Sequence, residues 1–228
     1  MTAHAATALA AMALLSQVTA PPQRVTPATE TATGSGLIPK AMAGLDAQSF
    51  ARALAEAGHA AGFIMPTSER QVYLPPDAGH LLTVDEAVTA FTARGKYHVN
   101  KQGNTMVFRH VNAPADVMAA LEFPLAYAAS KQTFSSVLFG TALRSLARTR
   151  VGGAVGPEPG AGPECPVESM VTVAAGRSTT LATLNSIVAQ LKRVAWLMRF
   201  GDPGERQRLQ IGYVCGNGVW SALSVPGW

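Results

Sequence analysis

The sequence predicts an α+β protein made of small mixed sheets with helices on one face, built from two related βαββ-like units. Segments of helical length with an apolar stripe alternate with short segments rich in β-branched and aromatic residues. The order of segments in residues 82–111 also recurs in residues 178–214. Each helix is too short to be stable alone, so each is expected to pack its stripe on a sheet.

Composition indicates a folded chain with a sizeable core. Of its 228 residues, 48% are hydrophobic and 14% are charged. A chain of this length buries roughly 70% of the surface that it exposes when unfolded. No apolar run reaches the ~18 residues of a membrane-spanning helix, so no transmembrane span is expected. The net charge is +4, but the cations are scattered and do not alternate with aromatic residues, so nucleic acid is not an expected partner.

The amino-terminal segment is expected to lie outside the folded body. Residues 1–20 contain a short apolar run that ends in small residues, which is typical of a secretory signal peptide. Residues 21–44 form a Thr/Pro-rich lead-in that is predicted to be flexible. The run carries no Lys or Arg at its start, so an ordinary Ala-rich amphipathic helix is the alternative interpretation.

The two cysteines, Cys165 and Cys215, are widely separated in the chain. An even number of cysteines in an exported protein predicts a disulfide, which is consistent with a periplasmic or secreted location. Two independent buried thiols are the alternative. Neither cysteine has a partner at metal-ligand spacing, so no metal site and no cofactor are expected.

The first unit, residues 45–112, is predicted to open with a helix. Asp46 suits the N-cap, and apolar side chains recur from Phe50 at positions i, i+3, i+4 and i+7. Two short strands are predicted next, at 62–66 and 70–74. The second strand alternates polar and apolar residues, which suits the edge of a sheet.

A second helix is predicted to begin after Thr83, because Thr83 and Glu86 have the spacing of a capping box. Strands are predicted at 96–99 and 105–111. The glycine-containing segment between them predicts a β-hairpin.

The rest of the chain is predicted to contain a connector, a loop and a second half-unit. Residues 113–150 are expected to be helical with a break at Pro124, and residues 151–166 form a Gly/Pro-rich loop. The second half-unit, residues 167–228, is predicted to contain a strand, a helix, two strands and an apolar tail. The predicted elements are 169–173, 178–192, 195–200 and 208–214.

One pattern in the first unit matches a known kind of domain. The segments that carry it are Phe50–Ala55, Gly62–Met65, Val72–Leu74, Leu82–Val88 and the hairpin around Tyr97 and Val107. Their order resembles the secretin and TonB short amino-terminal (STN) domain, which also occurs in periplasmic proteins. The resemblance covers about residues 45–112, and residues 168–214 only as a half-unit. It implies a domain that binds protein partners and has no catalytic residues.

The sequence carries few signs of catalytic chemistry. It contains no HExxH, GxSxG, phosphate-loop or dinucleotide glycine motif, so we predict that the protein is not an enzyme. His98 and His110 lie on the two arms of the predicted hairpin and come nearest to an acid–base or metal pair. Solvent-facing strand positions are the simpler interpretation of both residues.

These observations predict a non-catalytic accessory or adaptor protein of the bacterial envelope that binds another envelope protein. Contact is expected through a sheet edge open to β-augmentation and through the apolar tail. The predicted contact residues are Val72, Leu74, Trp220, Leu223 and Trp228. One alternative is a binder of a small molecule or cell-wall fragment in a pocket between the two units, and another is an envelope hydrolase that uses His98 or His110.

Overall fold

A computed structural model of the chain describes residues 36–40, 46–69, 80–149, 165, 168–191, 193–201, 209–215 and 221–224. All of these residues belong to one compact unit that spans residues 33–228. Several predictions fall outside the described residues. They are the signal peptide 1–20, most of the lead-in 21–44, the 70–74 strand with Val72 and Leu74, the loop 151–166 apart from Cys165, and Trp220 and Trp228.

The described part of the chain contains strands and helices that follow one another in short alternating groups. The strands are β1 Leu37–Pro39, β2 Ala61–Pro66, β3 Leu81–Thr83, β4 Tyr97–Gln102, β5 Thr105–His110, β6 Pro124–Tyr127, β7 Ser130–Thr133, β8 Met170–Val173, β9 Gly176–Thr179, β10 Val194–Phe200, β11 Gln210–Cys215 and β12 Ser221–Ser224. The helices are α1 Ala47–Glu56, α2 Val84–Thr92, α3 Ala115–Glu122, α4 Phe134–Thr149 and α5 Thr180–Leu191.

A central mixed sheet organises the molecule. Its strand order is β12-β11-β10-β2-β5-β4, and β2 runs parallel to both β10 and β5 while the other neighbours are antiparallel. Among the described residues, three two-stranded sheets accompany it, formed by the pairs β1–β3, β6–β9 and β7–β8. This mixture of helices and small sheets confirms the α+β class.

Helices cover both faces of the central sheet, whereas the sequence predicts them on one face. On the first face, α1 and α2 pack Phe50 and Phe91 into one apolar cluster. On the second face, α3, α4 and α5 pack a separate cluster that includes Leu138 and Leu184. The physical reason lies in β2, which is buried at every position and therefore needs apolar cover on both sides.

The two predicted units share this one sheet. Strand β2, from the first unit, pairs with β10 from the second, so that Gly62 lies opposite Trp196. The order strand, helix and hairpin occurs in β3–α2–β4–β5 and again in β9–α5–β10–β11. The units are therefore joined edge to edge through two parallel strands.

Among the described helices, α2, α4 and α5 begin in the same way, with a threonine cap at the end of a short strand. Thr83 accepts a hydrogen bond from the Glu86 backbone N–H, and the Glu86 carboxylate accepts one from the Thr83 N–H, which confirms the predicted capping box. Hydrogen bonds from Thr83 lower the pKa of Glu86. Thr133 and Thr179 cap α4 and α5 by accepting backbone N–H groups three residues later.

The connector differs from its prediction. The sequence predicts a helical connector with a break at Pro124, but α3 ends at Glu122 and two strands, β6 and β7, precede α4. These strands pair with β9 and β8, which lie far along the chain. Since the local pattern cannot reveal a distant partner, polar strands such as β7 carry no sequence signal of their own.

Cys165 and Cys215 form the predicted disulfide, with their Cα atoms 5.6 Å apart. The bond links the segment that precedes β8 to the last residue of β11. Within the described ranges, no helix has both the length and the apolar character needed to cross a bilayer.

Candidate partner-binding edge and groove

A buried hydrogen-bond network fixes the β4–β5 hairpin against α5. The indole N–H of Trp196 donates to Asn185 Oδ1 at 2.9 Å, and Asn185 Nδ2 donates to Gln102 Oε1 at 2.8 Å. The Thr105 hydroxyl donates to the Asn185 carbonyl at 3.1 Å. One asparagine side chain therefore joins β10 to the hairpin, and its backbone holds the hairpin's second strand.

The backbone of β4 offers hydrogen-bonding groups along its outer side. The Val111 N–H donates to the Lys96 carbonyl, so the backbone N–H and C=O groups of Lys96 point toward β5. In an antiparallel pair every second residue does the same, so the backbone groups of residues 98, 100 and 102 also point toward β5. The N–H and C=O groups of Val99 and Lys101 therefore point away from β5. No described strand pairs with this side, because β4 is the last strand in the order of the central sheet.

The side chains of β4 are exposed from its second to its fifth residue. His98, Val99, Asn100 and Lys101 are all exposed, and Val99 retains 40% of its accessible surface. This strand is therefore accessible to a partner along most of its length. An accessible edge of this kind is a template for pairing with another chain.

A groove of about 470 Å³ lies beside this edge, on the second face of the sheet. Apolar residues of the first unit, the connector and the second half-unit line it, namely Ile64, Val99, Val107, Val111, Met118 and Leu181. Polar side chains complete the lining, namely His98, Asn100, Gln102, Arg109 and Glu122. The groove can therefore accept an apolar group and offer hydrogen bonds and charges around it.

The amino end of β4 is held by a half-buried polar cluster. The Tyr97 hydroxyl donates to Glu69 Oε2 at 2.7 Å, and the same oxygen accepts the Ala47 N–H at 3.2 Å. Burial, together with the adjacent Glu69 carboxylate, raises the pKa of Tyr97. The Glu69 carboxylate is also favourably placed at the amino terminus of α1, where the helix dipole stabilises negative charge.

The geometry separates the two histidines that the sequence places on the hairpin. His98 lies opposite Arg109 and lines the groove, whereas His110 lies opposite Tyr97, on the other face of the sheet. His110 is buried, and its Nδ1 accepts the Asn112 N–H at 3.1 Å. The two rings therefore do not face each other. Among the described residues, no cluster of three His, Cys, Asp or Glu side chains could hold a metal ion.

Only one of the five predicted contact residues, Leu223, lies in the described part of the chain. It occupies β12, opposite Ile211 on β11. The β4 edge is not among the predicted sites, although β4 itself is predicted as a strand. The three polar residues among positions 98–101 could have indicated exposure, but the edge position depends on the order of strands in the sheet.

Comparison of the chain with protein-family models, with curated proteins and with solved structures gives no significant match. The resemblance to the STN domain therefore stays a prediction.

Proposed function

We propose that this protein is a non-catalytic adaptor of the bacterial envelope that binds an extended segment of another envelope protein as an additional strand on β4. The observation that carries the proposal is the outer side of β4, where backbone groups of Val99 and Lys101 point outward from an exposed strand. An extended segment would satisfy these groups with the same ladder of hydrogen bonds that joins β4 to β5.

The location in the envelope is supported by the disulfide between Cys165 and Cys215, because such bonds persist mainly in oxidising compartments. The signal-like run in residues 1–20 supports it independently. Intact-mass measurement of protein recovered from a periplasmic extract tests both points. A full-length chain with two alkylatable thiols would contradict the location.

The decisive variant is Val99→Pro. The Val99 N–H points outward, so proline removes a donor from the edge without removing a bond to β5, and proline is tolerated on edge strands. Val99→Thr is the matched control, because it keeps the N–H and the β-branched shape. Both variants should retain the unfolding midpoint of the parent protein to within a few degrees.

Cross-linking and affinity capture from envelope extracts should be compared for these two variants and the parent. The adaptor proposal expects a partner that the parent and Val99→Thr capture and that Val99→Pro does not. Equal capture by all three proteins would place the contact elsewhere and refute the β4 edge as the binding site.

A second candidate function is the binding of a small molecule or cell-wall fragment in the groove, which residues of the first unit, the connector and the second half-unit line. Val111 lines the groove and is 44% exposed, so Val111→Trp should fill the groove without disturbing the core. A ligand in the groove would be lost in Val111→Trp. Val99 also lines the groove, but proline keeps an apolar side chain there and removes only the outward N–H, so Val99→Pro should retain most of this binding. If the partner binds by strand addition, Val99→Pro should weaken binding more than Val111→Trp does.

A further inference from the structure

The chain segment that contains β4 and β5 carries charges of one sign. Residues 87–115 contain four cations, Arg94, Lys96, Lys101 and Arg109, and no Asp or Glu. Lys96, Lys101 and Arg109 are all exposed. Within the described ranges, none of these three side chains takes part in a salt bridge. The β4–β5 hairpin itself therefore carries only positive charges, while two carboxylates of the described residues, Glu69 and Glu122, lie at its amino end and in the groove.

These cations flank the edge from both faces of the sheet. Arg109 lies opposite His98 and lines the groove on the second face of the sheet. Lys101 is an odd number of residues from His98 along β4, so its side chain points to the first face. A strand added to β4 points its own side chains alternately to the same two faces. Acidic side chains of the added strand would therefore meet a cation whether they point to the first or to the second face of the sheet.

The groove adds a requirement for an apolar group. Val107, Met118 and Leu181 line it, and the carboxylate of Glu122 lies among the lining groups. A carboxylate that entered the groove would meet Glu122, so an apolar side chain suits this position better. Acidic side chains are suited to the more exposed positions beside Arg109 and Lys101.

Building on the proposed strand addition, we infer that the occupant of the β4 edge is an acidic extended segment of a partner protein with at least one apolar side chain directed into the groove. A second copy of this chain fits the same edge poorly. Pairing two β4 strands would bring the cations of both copies together, and juxtaposed like charges disfavour association.

The experiment uses three end-capped octapeptides in which Val alternates with Glu, with Lys or with Ser. Fluorescence anisotropy measures their binding to the full chain at about 20 mM and about 500 mM salt. The Glu peptide should bind about tenfold more tightly than the Ser peptide at low salt, and this advantage should shrink at high salt. The Lys peptide should bind most weakly.

Charge-reversal variants of the protein test which cations attract the acidic peptide. The double variant Lys101→Glu with Arg109→Glu should invert the order of the Glu and Lys peptides. Lys131→Glu is the control, because Lys131 is an exposed cation on β7, in a different sheet. It should leave the affinity of every peptide unchanged.

The outcomes separate this inference from the proposed function. Equal binding of all three peptides, abolished by Val99→Pro, would overturn the acidic segment and leave strand addition in place. Two results would overturn both the acidic segment and strand addition to β4. One is binding of the Glu peptide that persists in Val99→Pro, and the other is the absence of binding by any peptide at millimolar concentration. A dimer in analytical ultracentrifugation that Val99→Pro dissociates would identify a second copy as the occupant and overturn the acidic segment.

Discussion

Gly62 and Trp196 lie opposite each other on the parallel strands β2 and β10, and the indole occupies the space where a side chain at position 62 would begin. Trp196 is completely buried, and a Cβ added to Gly62 would overlap its Cε2, Cζ2 and Nε1 atoms. This contact lies where the two predicted units join. Glycine is therefore required at position 62 by close approach rather than by backbone conformation.

The first prediction concerns this contact. Gly62→Ala should lower the free energy of unfolding by about 2 kcal/mol or more, because the indole must shift within a packed core. Gly140→Ala is the control, since Gly140 lies in α4 and a Cβ added there would have nothing within 4 Å. That change should raise stability by roughly 0.5–1 kcal/mol through helix propensity. Urea unfolding of both variants measures the difference, and equal effects would contradict the proposed overlap.

A second prediction concerns the buried asparagine. Asn185→Ala removes the acceptor of the Trp196 indole N–H and the donor to Gln102. Leaving the indole N–H without its partner should cost about 1–3 kcal/mol of unfolding free energy. The hairpin should also loosen, which hydrogen exchange at the amides of residues 100 and 102 would detect. Asn100→Ala on the exposed strand serves as the control and should change stability by less than about 0.5 kcal/mol.

The third prediction is a pH dependence. Because the folded protein raises the pKa of Tyr97, the neutral hydroxyl is favoured, and its contribution to stability is fully present below the unfolded pKa of about 10. Above that pH the unfolded chain loses this proton first. The unfolding free energy should then fall by up to about 1.4 kcal/mol per pH unit from this group.

Tyr97→Phe keeps the ring but removes the hydroxyl that donates to Glu69. The variant should be about 1 kcal/mol less stable at neutral pH and should lose its stability less steeply above about pH 10. Guanidinium unfolding between about pH 8 and about pH 11 tests this, with Tyr127→Phe as the matched control. Parallel curves for the parent and Tyr97→Phe would show that this tyrosine does not carry the alkaline transition.

The fourth prediction concerns the disulfide between Cys165 and Cys215, which are 50 positions apart. Replacing both with serine should lower the free energy of unfolding by about 4 kcal/mol, since the bond restricts the unfolded chain. The parent protein in reductant should behave like the double variant. If reduction leaves the urea midpoint unchanged, the bond does not form in solution.

Much of the secondary structure was predictable because its signals are local. The Thr83–Glu86 spacing correctly placed the start of α2, and the pattern around residues 102–104 correctly placed the β4–β5 hairpin. The apolar stripes of α1 and α5 likewise follow from helical periodicity. Each of these signals acts within a few residues, where propensity and capping dominate.

The candidate site was not predictable in the same way. Strands β6 and β7 were missed because their partners, β9 and β8, lie far away in sequence. No local pattern distinguishes Val99 or Lys101 from other strand residues, because nothing nearby in the chain shows that β4 is the outermost of the described strands in the sheet.

By itself, the sequence determined the cap of α2, the hairpin and the α+β class, and with two cysteines it allowed only one intramolecular disulfide, since each depends on local patterning or on a single possible pair. The tertiary structure alone decided that both faces of the sheet are covered, that β2 joins β10, and that β4 is the outermost strand of the described sheet, beside a groove. These features depend on contacts between distant segments, where the burial of Trp196 against Gly62 and the order of the strands, rather than local propensity, set the arrangement.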